Sequence, residues 1–354
     1  MKIKFAVTIW VVLLLTVSSC RDNTPLEPEP PMFTPPGVFT VNEGNFTTGN
    51  ASLTWFRFAD STLLPDAFYA VNKVPLGDVA NYIAYHNGRG YVVVNNSGIV
   101  YVIDIKTGAF MGKISGLSSP REILFVDDNT ALISDLFDKS LTIADLSTFA
   151  VKGKIDLNGH TSESMVKAEH KVFVANWSKM NQQAVNDKIL VVDIDLMKLT
   201  DSIAVTVEPN SMAIDKNNKL WVLCSGGFNN EYYPALYRIN TESNTVEKKL
   251  EFSHKDCNPV ALSINGDGDK LFYLNKDIYR ISVSSGAIPE APFVACGDKN
   301  FYALGVRPDK EEIFVSDALD YVRNGQVYVY DNSGNLRSSF EAGIIPGYFG
   351  FVTE

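Results

Sequence analysis

A seven-bladed β-propeller is the fold this sequence predicts, and three observations predict it. From Gly37 onward the chain repeats itself about every 40 to 50 residues, a period typical of propeller blades when each unit reads as strands. Every repeat uses the same order of strands and turns. The two ends each carry a fragment of one further repeat.

The elements follow in chain order. Residues 38–42 read as the second strand of an opening unit, 51–58 as its third and 67–71 as its fourth, with no first strand before them. The clearest complete unit covers residues 81–116. Its strands are 82–85, 91–95, 99–104 and 109–114, and its turns are 86–90, 96–98 and 105–108. Runs of β-branched and aromatic residues bounded by Gly, Asn and Asp are strand signals. The same grammar returns in residues 119–157, 162–203, 209–250, 258–294 and 300–342, each read as four strands. Residues 347–352 are then left over as a strand of the first type. The economical solution is closure: the tail supplies the strand that the opening unit lacks, which makes seven blades and removes an open sheet edge. A β-helix would show shorter, more uniform coils, and a pair of sandwiches need not keep one grammar throughout.

The residues before the repeats read as an address. Lys2 and Lys4 precede an apolar run over residues 5–17, and small residues precede Cys20. That is the order of a secretory signal, with an apolar run too short to cross a bilayer comfortably. Val17-Ser18-Ser19-Cys20 resembles the bacterial lipobox, which implies removal of residues 1–19 and lipidation of Cys20. Residues 20–36 read as a tether, because Pro25, Pro28, Pro30, Pro31, Pro35 and Pro36 favour extended chain. Asp22, Glu27 and Glu29 resemble the surface-export signal of Bacteroidota lipoproteins, implying an outer-membrane lipoprotein at the cell surface. Contact with the membrane is then through the lipid alone. The propeller spans residues 37–354.

Composition narrows the function. A formal net charge of -10 repels phosphate backbones, so nucleic acid is not an expected partner. Four cysteines and four histidines show no metal-ligand spacing, and no metal or cofactor is expected. Apart from Cys20, the thiols Cys224, Cys257 and Cys296 leave one unpaired whichever two bridge. His86 and His170 fall in turns on the face opposite the one considered below, and His160 and His254 just before first strands. Asn265-Gly266-Asp267-Gly268-Asp269 hints at a calcium loop but lacks the terminal Glu, and reads as a turn. No catalytic residues are assigned.

In a propeller, second strands end and first strands begin on one face, where loops surround the channel mouth. Second-strand ends supply Asn45, Phe46, Asn95, Asn96, Asp135, Phe137, Asn176, Trp177, Asn275 and Asp317. First-strand starts supply Asn81, Tyr82, Arg121, Glu122, Glu163, Asn210, Asn258, Tyr302 and Tyr348. The candidate ligand-binding set is these positions without Asn96, Asn275 and Glu122, together with Phe228 and Tyr232 from the long loop 226–234. Loops 177–188 and 318–325, the latter with Tyr321 and Arg323, are also long, and long loops among short hairpins tend to be functional. Amides offer donors and acceptors, and aromatic rings offer flat apolar area. The competing reading is local: Asn and Asp at strand ends satisfy their own backbone.

Residues 91–95 (YVVVN) and the spaced Val, Ile-Asp and Thr-Gly pattern ending at Gly108 resemble the YncE-like, YVTN-type propeller family across residues 37–354. Asn42-Glu43-Gly44-Asn45-Phe46 and the following Gly49-Asn50-Ala51-Ser52-Leu53 resemble the start of a lipoprotein branch of that family in Bacteroidota. Members of the branch called BtuG hold cobalamin at the cell surface and cap a TonB-dependent transporter. Residues 221–224 (WVLC) depart from the family core. The resemblance implies a non-enzymatic protein that captures a small polar nutrient, a corrinoid such as vitamin B12 first, for a TonB-dependent outer-membrane receptor. A scaffold that binds protein or glycan is the alternative, and a metal-dependent lactonase or lyase the third.

Overall fold

The computed structural model describes residues 33–178 and 185–353, and they form seven antiparallel sheets arranged as the blades of a ring. Each blade starts with an inner strand. In the second to seventh blades these are Ala80–His86, Pro120–Phe125, Met165–Ala168, Pro209–Ile214, Val260–Ile264 and Phe301–Val306. The last strand, Pro346–Val352, is the inner strand of the first blade. It pairs antiparallel with Gly37–Asn42, with Thr40 opposite Phe349 and Val41 opposite Tyr348. Each inner strand touches the next around a complete circle, the last meeting Ala80–His86. The expected closure is present.

Burial explains the sequence signal. Second strands such as Gly37–Asn42, Arg89–Val94 and Lys219–Cys224 are almost wholly buried, because neighbouring blades cover both of their faces. They therefore read as continuous β-branched and aromatic runs. Fourth strands such as Phe110–Ser115 and Val151–Asp156 are mostly exposed and read as polar. Between blades lie separate apolar clusters holding Trp55, Tyr91, Phe173, Trp221 and Phe314. Each such side chain contributes roughly 1.5–3 kcal/mol on burial.

Three expectations need correction. Residues 67–71 are not a strand: Ala67–Asn72 is a short helix, and the fourth strand of the first blade is the two-residue Leu63–Leu64. Asp66 caps the helix by accepting from the Tyr69 N–H, and Phe68 packs on Tyr101 with ring centroids 5.0 Å apart. The sixth blade is a three-stranded sheet whose outer edge keeps only a bridge between Ile278 and Val294. Pro289 and Pro292 lie in that segment and lack the N–H a ladder needs. The tether also ends earlier than residue 36. Phe33 is 1% exposed, its N–H donates to the Lys106 carbonyl at 3.0 Å, and its ring meets those of Phe39 and Trp55. The signal at residues 1–19, Cys20 and the tether up to residue 32 lie outside the described residues, as do residues 179–184 of the loop 177–188.

Candidate ligand-binding site

The ladders of six inner strands lose register near the end where those strands begin, at the mouth. Bulges gather at rims and re-aim side chains. Here they border a cavity of about 470 Å³ to which all seven inner strands contribute. Tyr82, Glu122, Met165, Ser211, Leu262, Tyr302 and Tyr348 each come from a different blade, and Glu43 joins them from the loop after Gly37–Asn42. The walls are tyrosine rings, thioethers and aliphatic chains, with carboxyls and hydroxyls among them. Tyr82 and Tyr348 lie with ring centroids 4.4 Å apart.

The polar groups also tie blade to blade, which inner strands cannot do through their backbones. Glu122 Oε2 accepts from the Met165 N–H at 2.8 Å. Ser211 Oγ accepts from the Leu262 N–H at 2.9 Å, and Ser263 Oγ donates to the Leu304 carbonyl at 3.1 Å. The Tyr302 hydroxyl donates to Glu43 Oε1 at 3.0 Å, and the Tyr85 hydroxyl to the Gly350 carbonyl at 2.9 Å. Arg121 and Glu163 form an ion pair at 2.6 Å. Burial pushes the Glu122 carboxyl up to about 8, with the Met165 N–H opposing and the Glu163 charge adding to the rise. Glu43 is raised too, first by burial, against the Tyr302 hydroxyl and Arg121. Burial likewise lifts the phenols of Tyr82, Tyr302 and Tyr348.

Of the residues expected at the site, Tyr82, Asn210, Tyr302 and Tyr348 line this cavity. Arg121 and Glu163 stand beside it, since their charges act on Glu43 and Glu122. Asn81 lies in the bulge that opens its inner strand, with Oδ1 buried and without a partner among the described residues. Several others serve the fold instead. The Asp135 carboxylate accepts the N–H groups of Ser118, Ser119, Phe137 and Asp138. Asn95 Nδ2 donates to Ser119 Oγ and the Pro120 carbonyl, and Asn176 Nδ2 to the Thr161 carbonyl. Asp317 Oδ1 accepts the Asn300 and Leu319 N–H groups. These side chains latch second-strand ends to the segments entering first strands, so for them the local reading of strand-end Asn and Asp is the right one.

The remaining candidates lie on the loops. Asn45 Nδ2 donates to the Tyr321 carbonyl, Asn258 is exposed with its N–H on Asn275 Oδ1, and Trp177 is half-buried. Phe46, Phe137, Phe228 and Tyr232 are exposed and none lines the cavity, Phe228 at 90%. Sequence reasoning missed Glu43, Ser164, Met165, Ser211, Met212 and Leu304, and left Glu122 out of its set. Glu43 directly follows a second strand, so the strand-end rule would have reached it before Asn45.

Among the described residues, no group of three His, Cys, Asp or Glu is arranged to hold a metal. Asn265 Oδ1 accepts the N–H groups of Asp269 and Lys270, and the suspected calcium loop is a turn. Cys224, Cys257 and Cys296 are all unbridged. A second cavity of about 600 Å³ lies between the fifth and sixth blades, beside the missing outer strand, with Phe252, Cys257, Tyr273 and Tyr279 on its walls. The central cavity, by contrast, draws on every blade.

Residues 36–343 match the model of a family described as a domain of unknown function, DUF5074. No curated protein matches the chain. Solved propellers share the architecture at low identity. A quinonprotein alcohol dehydrogenase-like protein from Bacteroides thetaiotaomicron is 13% identical with a TM-score of 0.69, over 90% of this chain and 78% of that one. Hydrazine synthase of Kuenenia stuttgartiensis is 12% identical at 0.63, over 89% and 99%. Virginiamycin B lyase from Staphylococcus aureus is 12% identical at 0.58, over 74% and 83%. At such identities the likeness is one of fold.

Proposed function

The chain belongs to the DUF5074 family, and we propose that it is a binding protein that holds a small polar ligand at the mouth of its propeller channel. One observation carries this: a cavity of about 470 Å³, within the range of small-molecule sites, bounded by all seven inner strands. A rigid ring presents such a site with little ordering left to do on binding. Binding is favoured over catalysis because the carboxyls at the cavity are already engaged, Glu122 by the Met165 N–H and Glu43 by the Tyr302 hydroxyl. Each thereby has a place in joining two blades, which accounts for it without a catalytic role.

The finer reading is a YncE-like surface lipoprotein of the BtuG kind, anchored at Cys20, which captures a corrinoid and hands it to a TonB-dependent receptor. The lipobox-like tetrapeptide and the opening Asn42–Leu53 motif support it. A corrinoid is too large to enter the cavity whole. It would rest across the mouth against exposed rings such as Phe46 and Phe137, leaving Phe228 and Tyr232 for a receptor. Titration of the purified chain with cyanocobalamin, followed by heat and by corrin absorbance, tests this. Saturable micromolar binding weakened by Phe137→Ala is expected. No binding removes the corrinoid and leaves the smaller cavity ligand in place.

A further inference from the structure

Charge around the cavity is lopsided. Glu43 and Glu122 face it, and the Glu163 carboxylate stands beside them. Arg121 is the cation among these groups, and it is already paired with Glu163 Oε1. Among the described residues, no Lys, Arg or His lines the cavity. The rings of Tyr82, Tyr302 and Tyr348 form much of its wall. Glu163 Oε2 is buried with no hydrogen-bond partner among the described residues.

Resting on the proposed binding function, we infer that the ligand is an organic cation: an ammonium group on a short apolar body, seated between the tyrosine faces and the Glu43 and Glu122 carboxyls, with the Glu163 charge behind them. An anionic ligand would gain no partner from the acidic wall and would find the guanidinium beside it already taken by Glu163. A neutral polar ligand would bring no positive charge to pair with the acids of the wall. A cation satisfies both halves of the lining, since ring faces attract positive charge and carboxylates pair with it. Met165, Met212, Leu262 and Leu304 supply apolar contact for the body of such a ligand.

Seating a cation beside Glu122 also moves a proton. The groups facing that carboxyl are the Met165 N–H, the Ser164 hydroxyl, Arg121, Glu163 and, across the cavity, Tyr82 and Tyr348. Burial keeps the acid largely protonated at neutral pH, and an arriving positive charge favours the carboxylate. The proton leaves to the buffer as the ammonium binds.

The test uses the full chain and two matched pairs of probes, choline with its uncharged isostere dimethylbutanol and butylammonium with pentanol. Isothermal titration is run near neutral pH in two buffers of different ionisation enthalpy. A cation in either pair is expected to bind on the order of tenfold more tightly than its alcohol, with proton release at saturation. Glu43→Gln and Glu122→Gln should each reduce that preference, and Glu122→Gln, which keeps the shape and a neutral side chain, should abolish the release. Alcohols binding as tightly as the cations would overturn the charge assignment and leave the cavity as a binding site. Binding by none of the four probes overturns it as well, and dialysis of the chain against mixed metabolites then decides separately whether the cavity binds anything.

Discussion

At neutral pH the Glu122 side chain is mostly protonated, since its folded value lies at about 8 against an ordinary 4.5. A carboxyl raised in this way contributes stability that is fully present below the unfolded value and is lost as pH rises through the folded one. Wild-type stability should therefore fall relative to Glu122→Gln between about pH 5 and about pH 9, by on the order of 2–4 kcal/mol. Urea midpoints of both proteins across that range measure it, and parallel curves would mean that the carboxyl is not desolvated. None of this was legible in the sequence, where Glu122 is one acid among many. The aromatic half of the cavity was: Tyr82, Tyr302 and Tyr348 follow from counting to the starts of first strands. The amide half was less informative, because Asn95, Asp135, Asn176 and Asp317 share their positions with cavity-facing residues but direct polar atoms at backbone.

Strands declare themselves when neighbours bury both faces, and so the second strands were read almost to the residue. Two elements escaped for physical reasons. Residues 67–71 carry an apolar run that serves a helix as well as a strand, and the cap at Asp66 decides between them. The outer edge of the sixth blade is solvent-facing, so its sequence carries no burial pattern to betray the lost ladder. Inner strands depend on close approach, most plainly at Gly350. A Cβ there would come within 2.4 Å of Ile83 Cγ2 and of the Tyr85 hydroxyl, and Tyr85 donates to the Gly350 carbonyl. Gly350→Val should lower stability by about 2–3 kcal/mol through overpacking between the first and second blades. Guanidinium unfolding checks it, and a loss below about 0.5 kcal/mol would mean that the two strands are not packed as described.

Closure is the property of the whole molecule on which the site depends. Pro346–Val352 lies more than 300 positions from Gly37–Asn42 in the chain, and the first strand missing at one end and left over at the other was the sign that the two would pair. Once joined, they bring Glu43, Gly347 and Tyr348 to the same opening as residues from the other six blades. What the sequence could not supply was the volume at that opening, because side-chain bulk and strand bulges set it together. Val260 lines the cavity from the sixth blade and is only half-buried, so an indole placed there would occupy the ligand's space. The most direct measurement is equilibrium dialysis of the purified chain and of Val260→Trp against a mixture of small polar metabolites, read by mass spectrometry. At least one compound should be enriched by the wild-type chain and not by a folded variant. Enrichment of nothing, or the same enrichment by both proteins, would contradict a ligand seated in the channel mouth.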